Sequence, residues 1–253
     1  MTRAFDAMRS ELNAAMTGAE RGVPAADELC STCVDLFGVD GAALSVVHDG
    51  ATRGTFGSSS EASRRLDEYQ FTFGEGPCLD AVAARQSVLV PDLDSALGRR
   101  WPAFAGAALA DGIRGVFALP VVITSVCVGA LDLFRVDPGP LQGNELEGAL
   151  LAAELAAAPL LDLVAEGGGN QDDALQEGSE EAWGSLEEMD RIEVYQATGM
   201  LISQLDVDAA EALARLRAHA VATGQTASQV AWAIVERRLV LERDDHGPGR
   251  GQG

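Results

Sequence analysis

The chain has no lysine; all eighteen of its basic residues are arginine. That absence excludes a Walker A loop of the usual kind, a pyridoxal Schiff base and a kinase-type phosphate lysine. Cysteine is scarce too. The four present, Cys30, Cys33, Cys78 and Cys127, sit in a chain too large to need disulfide stapling. The opening MTRAFDAMRSELNAA has no signal-peptide hydrophobic run. Reduced thiols and a cytoplasmic location are therefore expected. Positive charge is outweighed: the formal net charge is −21, which argues against constitutive binding to polyanions and requires any nucleic-acid contact to be local. One uncharged stretch, residues 115–131, approaches the length of a short membrane span. Its β-branched residues, Pro120 and the Thr124-Ser125 break read instead as two buried strands joined by a tight turn, so no membrane association is expected.

With 253 residues the chain has room for two domains. Residues 1–23 read as a helical extension. Residues 24–37 follow as a helix with Pro24 in its first turn and Gly38 at its end. Apolar and β-branched runs at 41–47 and 51–57, around His48-Asp49-Gly50, predict a hairpin. Short helices are predicted at 59–66 and 77–84, flanking the loop FTFGEGPCLDA that Gly74 and Gly76 punctuate. A strand at 88–90, a helix running to Ala110, the hairpin at 115–134 and a helix at 141–165 complete the first domain. This order predicts an α+β domain at 24–165 with a mostly antiparallel sheet of five or six strands, not a βαβ fold.

Between Glu166 and Asp190 lie nine acidic residues, no basic one and three consecutive glycines, which marks 166–184 as an acidic, glycine-rich linker. Three capping boxes then follow: Ser185 with Glu188, Asp208 with Glu211, and Thr226 with Gln229. They predict an all-α three-helix module at 185–243, with 244–253 as a disordered tail. Gly224 ends the second helix, whose apolar stripe is predicted at Ala209, Leu213, Leu216 and Ala220.

Three strings in this module, RIEVYQATGMLISQL, EALARLRAHA and QVAWAIVERRL, resemble the ANTAR domain, an RNA-binding antiterminator module of bacterial regulators. The first domain is similar to a GAF domain in element order and in the GEGPCLDA loop. The resemblance implies a signal-responsive regulator, not an enzyme. In it a pair of ANTAR modules in a homodimer binds two-hairpin RNA leaders and prevents a terminator from forming, while the GAF domain senses an unidentified signal, its pocket holding a small molecule or nothing. No metal or other cofactor is implied, and the family's cyclic-nucleotide signature, which includes a lysine, is absent.

On that resemblance Arg191, Arg215, Arg217, Arg237 and Arg238 are the candidate RNA surface, because guanidinium groups contact phosphate bidentately and stack on unpaired bases. Tyr195 and Gln196 would read or stack on loop bases, and His219, four residues after Arg215, would join that face. Thr198 stands where the family often has a lysine, so one cationic contact is missing. Ala197 and Gly199 read as small residues at a helix crossing. Cys78, Trp101 and Phe117 are the candidate ligand-binding residues of the first domain. Two other readings stay open: a thiol reductase using Cys78 with Cys127 or another cysteine, and a dimerisation module without RNA. The CxxC of Cys30 and Cys33 reads as a pair of core thiols, since no second CxxC or histidine pair follows.

Overall fold

The computed structural model describes residues 2–48, 50–166 and 191–242. The chain divides into two compact units, Met1–Asp190 and Arg191–Gly253. The cap at Ser185 and Glu188, the linker beyond Glu166 and the tail at 244–253 lie outside the described residues.

The first unit opens with helices α1 (Thr2–Gly18) and α2 (Val23–Phe37) and the hairpin β1 (Gly41–His48) and β2 (Ala51–Ser58). Then come α3 (Glu61–Phe73), α4 (Pro77–Ala84), β3 (Val88–Val90) and α5 (Pro102–Ala110). It closes with β4 (Gly115–Ile123), β5 (Val126–Arg135), α6 (Asn144–Leu155) and α7 (Ala157–Glu166). The five strands lie in the order β2-β1-β5-β4-β3, with every pair antiparallel. The uncharged stretch at 115–131 is the β4–β5 hairpin, turning at Thr124 with φ 56°. Pro120 lies beyond Ala118, the last residue of β4 that β3 reaches. There β4 is an edge strand, which tolerates a missing N–H.

Side chains alternate across the sheet. Leu44, Phe117, Leu119, Leu131 and Leu133 join a core with α2 and α6, and the fully buried Leu12 of α1 belongs to it. On the other face Val116 and Phe134 pack with Trp101 and with Phe104 of α5. Helix α3 extends well past the predicted end at 66. It runs from an N-cap at Ser60, which accepts from the Ser63 N–H at 3.2 Å, to Gly74 at φ 65°. Its buried face carries Ser63, Asp67 and Gln70 beside Leu66 and Phe71, so the apolar periodicity that betrays a helix is broken. The helix predicted at 141–165 is two, α6 and α7. Pro159 lacks an N–H and its ring would press on the carbonyl of Leu155, where α6 ends.

The glycine-rich loop between α3 and α4 is tied on both sides. Gly76 sits at φ 152°, and a Cβ there would lie 2.4 Å from Gln70 Oε1. Glu75 Oε1 accepts from the Ala103 and Phe104 N–H groups at 2.7 and 3.1 Å, capping α5.

The second unit contains α8 (Ile192–Leu205), α9 (Ala209–Thr223) and α10 (Ala227–Val235). Its core is Val194, Ala197, Leu201 and Leu205 against Ala212, Leu216, Ala220, Val230, Ala231 and Ile234. The buried stripe of α9 is Ala212, Leu216 and Ala220. Leu216 and Ala220 lie where the spacing predicts, whereas Ala209 is exposed and Leu213 is half-buried. Alanines on several sides of this helix leave the hydrophobic pattern without contrast, so its first turn is assigned to the wrong face. Thr226 and Gln229 form the full capping box, at 3.0 and 3.3 Å. Asp208 accepts from the Glu211 N–H at 2.8 Å, but Glu211 turns its carboxylate to Arg215, so this cap is one-sided.

These ties can be cut one at a time. Thr226→Ala removes a buried cap and lowers the stability of the three-helix unit by about 1 kcal/mol, measurable by circular dichroism in urea. Gly76→Ala combines a strained φ with a clash on Gln70 and destabilises the first unit by about 1–3 kcal/mol, seen as a lower midpoint for its own thermal transition.

Candidate functional site

In the second unit the five candidate arginines do not form one surface. Arg191, preceding α8, reaches Ser228 in the first turn of α10 at 3.5 Å. Arg217 of α9 is drawn below the usual guanidinium range, first by burial and then by the positive charge of Arg191. These two cations therefore stand together. Arg215 lies two residues away on the helix, about 200° around it, and pairs with Glu211 at 2.7 Å. Arg237 and Arg238 follow the end of α10, whose last residue, Val235, lies about 10 Å along the axis from Ser228. Arg238 pairs with Glu236 at 2.5 Å. His219 is partly buried on the Arg215 side of α9.

The outer face of α8 carries a different set. Ile192, Tyr195, Gln196, Gly199 and Ser203 recur on one side of the helix, opposite Val194, Ala197, Leu201 and Leu205. Tyr195 is 52% exposed, and Thr198 is partly buried beside this face. Gln196, Gly199, Met200 and Ser203 line a shallow groove with Val235 of α10. Ala197 is fully buried at the helix crossing, as its size predicts. Gly199 is not at a crossing: a Cβ on it would meet no atom within 4 Å. Sequence reading missed Trp232, 50% exposed on α10. Its signal was available, because Ala227, Val230, Ala231 and Ile234 already complete the buried stripe of that helix.

The three candidate ligand residues of the first unit do not converge. Phe117 belongs to the core on the α2 side of the sheet. Trp101 packs on the opposite face, since neighbouring strand residues such as Val116 and Phe117 point apart. Trp101 borders an open groove along β3 with Asp80 and Arg100. Arg100 pairs with Asp80 at 2.6 Å and lies 4.9 Å from the Trp101 ring centre. Cys78 is enclosed with Val47 and Ala130. Burial, then the Asp132 and Asp67 carboxyls, push its thiol well above the ordinary range. Burial also raises Cys127, which is partly exposed, and all four cysteines are free thiols. Cys30 and Cys33 are core residues with no exposure.

Between the sheet and helices α3 and α4 lies a polar cluster that sequence reading did not find. Asp67 accepts from Ser45 Oγ at 2.7 Å and from Thr55 Oγ1 at 2.6 Å. Gln70 donates through Nε2 to Asp132 Oδ2 at 2.9 Å, and its Oε1 accepts from the Cys78 N–H at 2.8 Å. Asp67 and Asp132 are 1% and 3% exposed. Burial, reinforced by Asp67, lifts the Asp132 carboxyl to about 8, against the smaller opposing pull of its hydrogen bonds.

Comparison with known proteins fits both units. The GAF domain family model matches residues 25–158 and the ANTAR domain model residues 181–235. Among solved structures, the GAF domain of the Acinetobacter phosphoenolpyruvate-protein phosphotransferase is 11% identical with a TM-score of 0.52, over 66% of this chain and 99% of that one. The equivalent domain from Coxiella burnetii is 13% identical, TM-score 0.49, with the same coverage. Free methionine-R-sulfoxide reductase from Neisseria meningitidis is 15% identical, TM-score 0.45, over 62% of this chain and 85% of that one. No curated protein sequence matches. No helix among the described residues is long and apolar enough to cross a membrane. The GAF model alone spans more than half of the sequence, with the ANTAR domain behind it: the chain belongs to the GAF domain family and has the GAF-ANTAR architecture.

Proposed function

We propose that this protein is a signal-responsive antitermination regulator of the cytoplasm, whose GAF domain senses a small molecule and whose ANTAR domain binds hairpins in leader transcripts. The observation that carries the reading is the outer face of α8 within the ANTAR match: an aromatic, an amide and a bare glycine side by side, Tyr195, Gln196 and Gly199, with Trp232 exposed on α10. Single-stranded RNA loops are recognised by stacking on aromatic rings and by hydrogen bonds to splayed base edges. Arg191, just before α8, and Arg217, within electrostatic range of it on α9, supply local positive charge for the phosphates in a chain whose overall charge is repulsive. A two-hairpin leader suits a homodimer offering one ANTAR domain per hairpin. The regulator reading is favoured over an enzyme by the domain pairing.

Binding of the full-length protein to a two-hairpin leader RNA, followed across salt concentrations, tests the reading. Arg191→Ala with Arg217→Ala weakens binding and flattens the slope of log affinity against log salt by about 0.7 for each phosphate left without its arginine. No leader RNA bound by the parent protein at low salt would sink the proposal.

Gly199 supplies a sharper outcome. A mid-helix glycine in open space costs about 1 kcal/mol relative to alanine, so Gly199→Ala stabilises the three-helix unit in urea. If RNA comes close to the backbone there, the same change lowers affinity. More stability with unchanged affinity would move the RNA away from this face of α8.

A further inference from the structure

Asp132 sits in the middle of β5, and among the described residues no cation pairs with it. Its neighbours across the ladder are Ala43 on β1 and Ala118 on β4. Helix α3 brings Asp67 and Gln70 towards it, and α4 brings the Cys78 thiol within electrostatic range. Strand β1 brings Ser45, whose hydroxyl is given to Asp67 and stands beside Asp132 as well. Strand β2 brings Thr55, committed to Asp67, with the partly buried Arg53 two residues before it. From beyond the sheet, α2 brings the Cys30 thiol within electrostatic range. Asp132 Oδ1 has no hydrogen-bond partner among the described residues. Two carboxyls in one water-excluded network cannot both ionise cheaply, and a proton on Asp132 removes that conflict.

Gln70 makes the conflict consequential. Its amide is the link from Asp132 to the first turn of α4, and its Oε1 end also abuts Gly76. Helix α4 has no side-chain N-cap of its own, whereas α3 is held by Ser60 at one end and Gly74 at the other. An ionised, buried acid pair has to separate or admit water, and α4 is the element joined to Asp132 through Gln70.

We propose that Asp132 is a proton-binding site of the sensor domain, and that release of its proton as pH rises loosens α4 and the Gly74–Pro77 loop from the sheet through Gln70. The device is independent of RNA binding and of any small-molecule signal. It gives the sensor a second input, alkalinity, read by a helix that shares a loop with the cap of α5.

The test uses the full-length protein and Asp132→Asn, which keeps the shape of the protonated acid. At neutral pH the parent shows the infrared carbonyl band of a protonated carboxylic acid, and the variant lacks it. The folded state keeps this proton to higher pH than the unfolded chain, whose carboxyl titrates near about 4. Stability of the sensor unit therefore falls as pH rises between that value and about 8, by up to about tenfold in the folding constant per pH unit, and Asp132→Asn removes that slope. Amide exchange in α4 accelerates above about pH 8 in the parent beyond the acceleration seen in the variant. Absence of the band, or parallel stability profiles in the two proteins, overturns the proposal. Should Asp132→Asn fail to fold, Asp67→Asn serves: removing the neighbouring acid makes the band titrate at lower pH, and an unchanged titration overturns the proposal equally.

Discussion

The first unit depends on the enclosure of strand β5, which is paired on both edges and covered on both faces. Its backbone approaches β1 so closely that a Cβ on Gly129 would lie 2.0 Å from the Ser45 carbonyl oxygen. With the strand clamped in this way, alternation alone decides where each side chain goes. Leu131 and Leu133 enter the core shared with α2 and α6, and Ala130, Asp132 and Phe134 face the other helices. A carboxyl at position 132 is 3% exposed, so its environment has to be built for it. Gln70 and the hydroxyls that engage Asp67 do part of that, and a proton does the rest.

The same enclosure gives the GEGPCLDA loop its meaning. Glu75 caps α5, Gly76 admits the Gln70 side chain, and the Cys78 N–H completes the amide's hydrogen bonding. The motif is a junction that holds three helices to one sheet face. Its cysteine is buried and its thiol is pushed away from ionisation, which is the opposite of what a nucleophile needs. The groove along β3 and the Cys78 cluster are separate features, so the open space near Trp101 and the reactive-looking sulfur do not add up to one site.

In the second unit small residues do the organising. Ala197, Ala212, Ala220, Ala227 and Ala231 are all without exposure, so the helices pack closely and larger polar and aromatic side chains are left outside. That division leaves Tyr195 and Gln196 on the outer face of α8 and Trp232 on α10 exposed, with Arg191 within electrostatic range of Arg217. Arg215 and Arg238 are each neutralised by a glutamate on their own helix or just beyond it. Net charge in this region is therefore a poor guide to where a phosphate would sit.

Legible in the amino-acid string is everything that acts over a few residues: the hairpins around Gly50 and Thr124, the stop at Gly38, the caps at Asp208 and Thr226, and the separation into an α+β unit and a helical one. Turn chemistry and capping are local, so they carry over into the folded chain, save that Glu211 leaves the Asp208 cap for Arg215. The break at Pro159 is of the same local kind, although the helix expected at 141–165 runs through it. Folding alone settles which distant groups meet. Helix α3 is hidden behind Ser63, Asp67 and Gln70, polar residues on a buried face whose partners lie on other elements. Phe117 and Trp101 fall on opposite faces because sheet register, not composition, assigns sides. Asp132 looks like any strand acid until β1, β4, α3 and α4 close around it, since a carboxyl's proton affinity depends on the water and charge that surround it rather than on its neighbours in the chain.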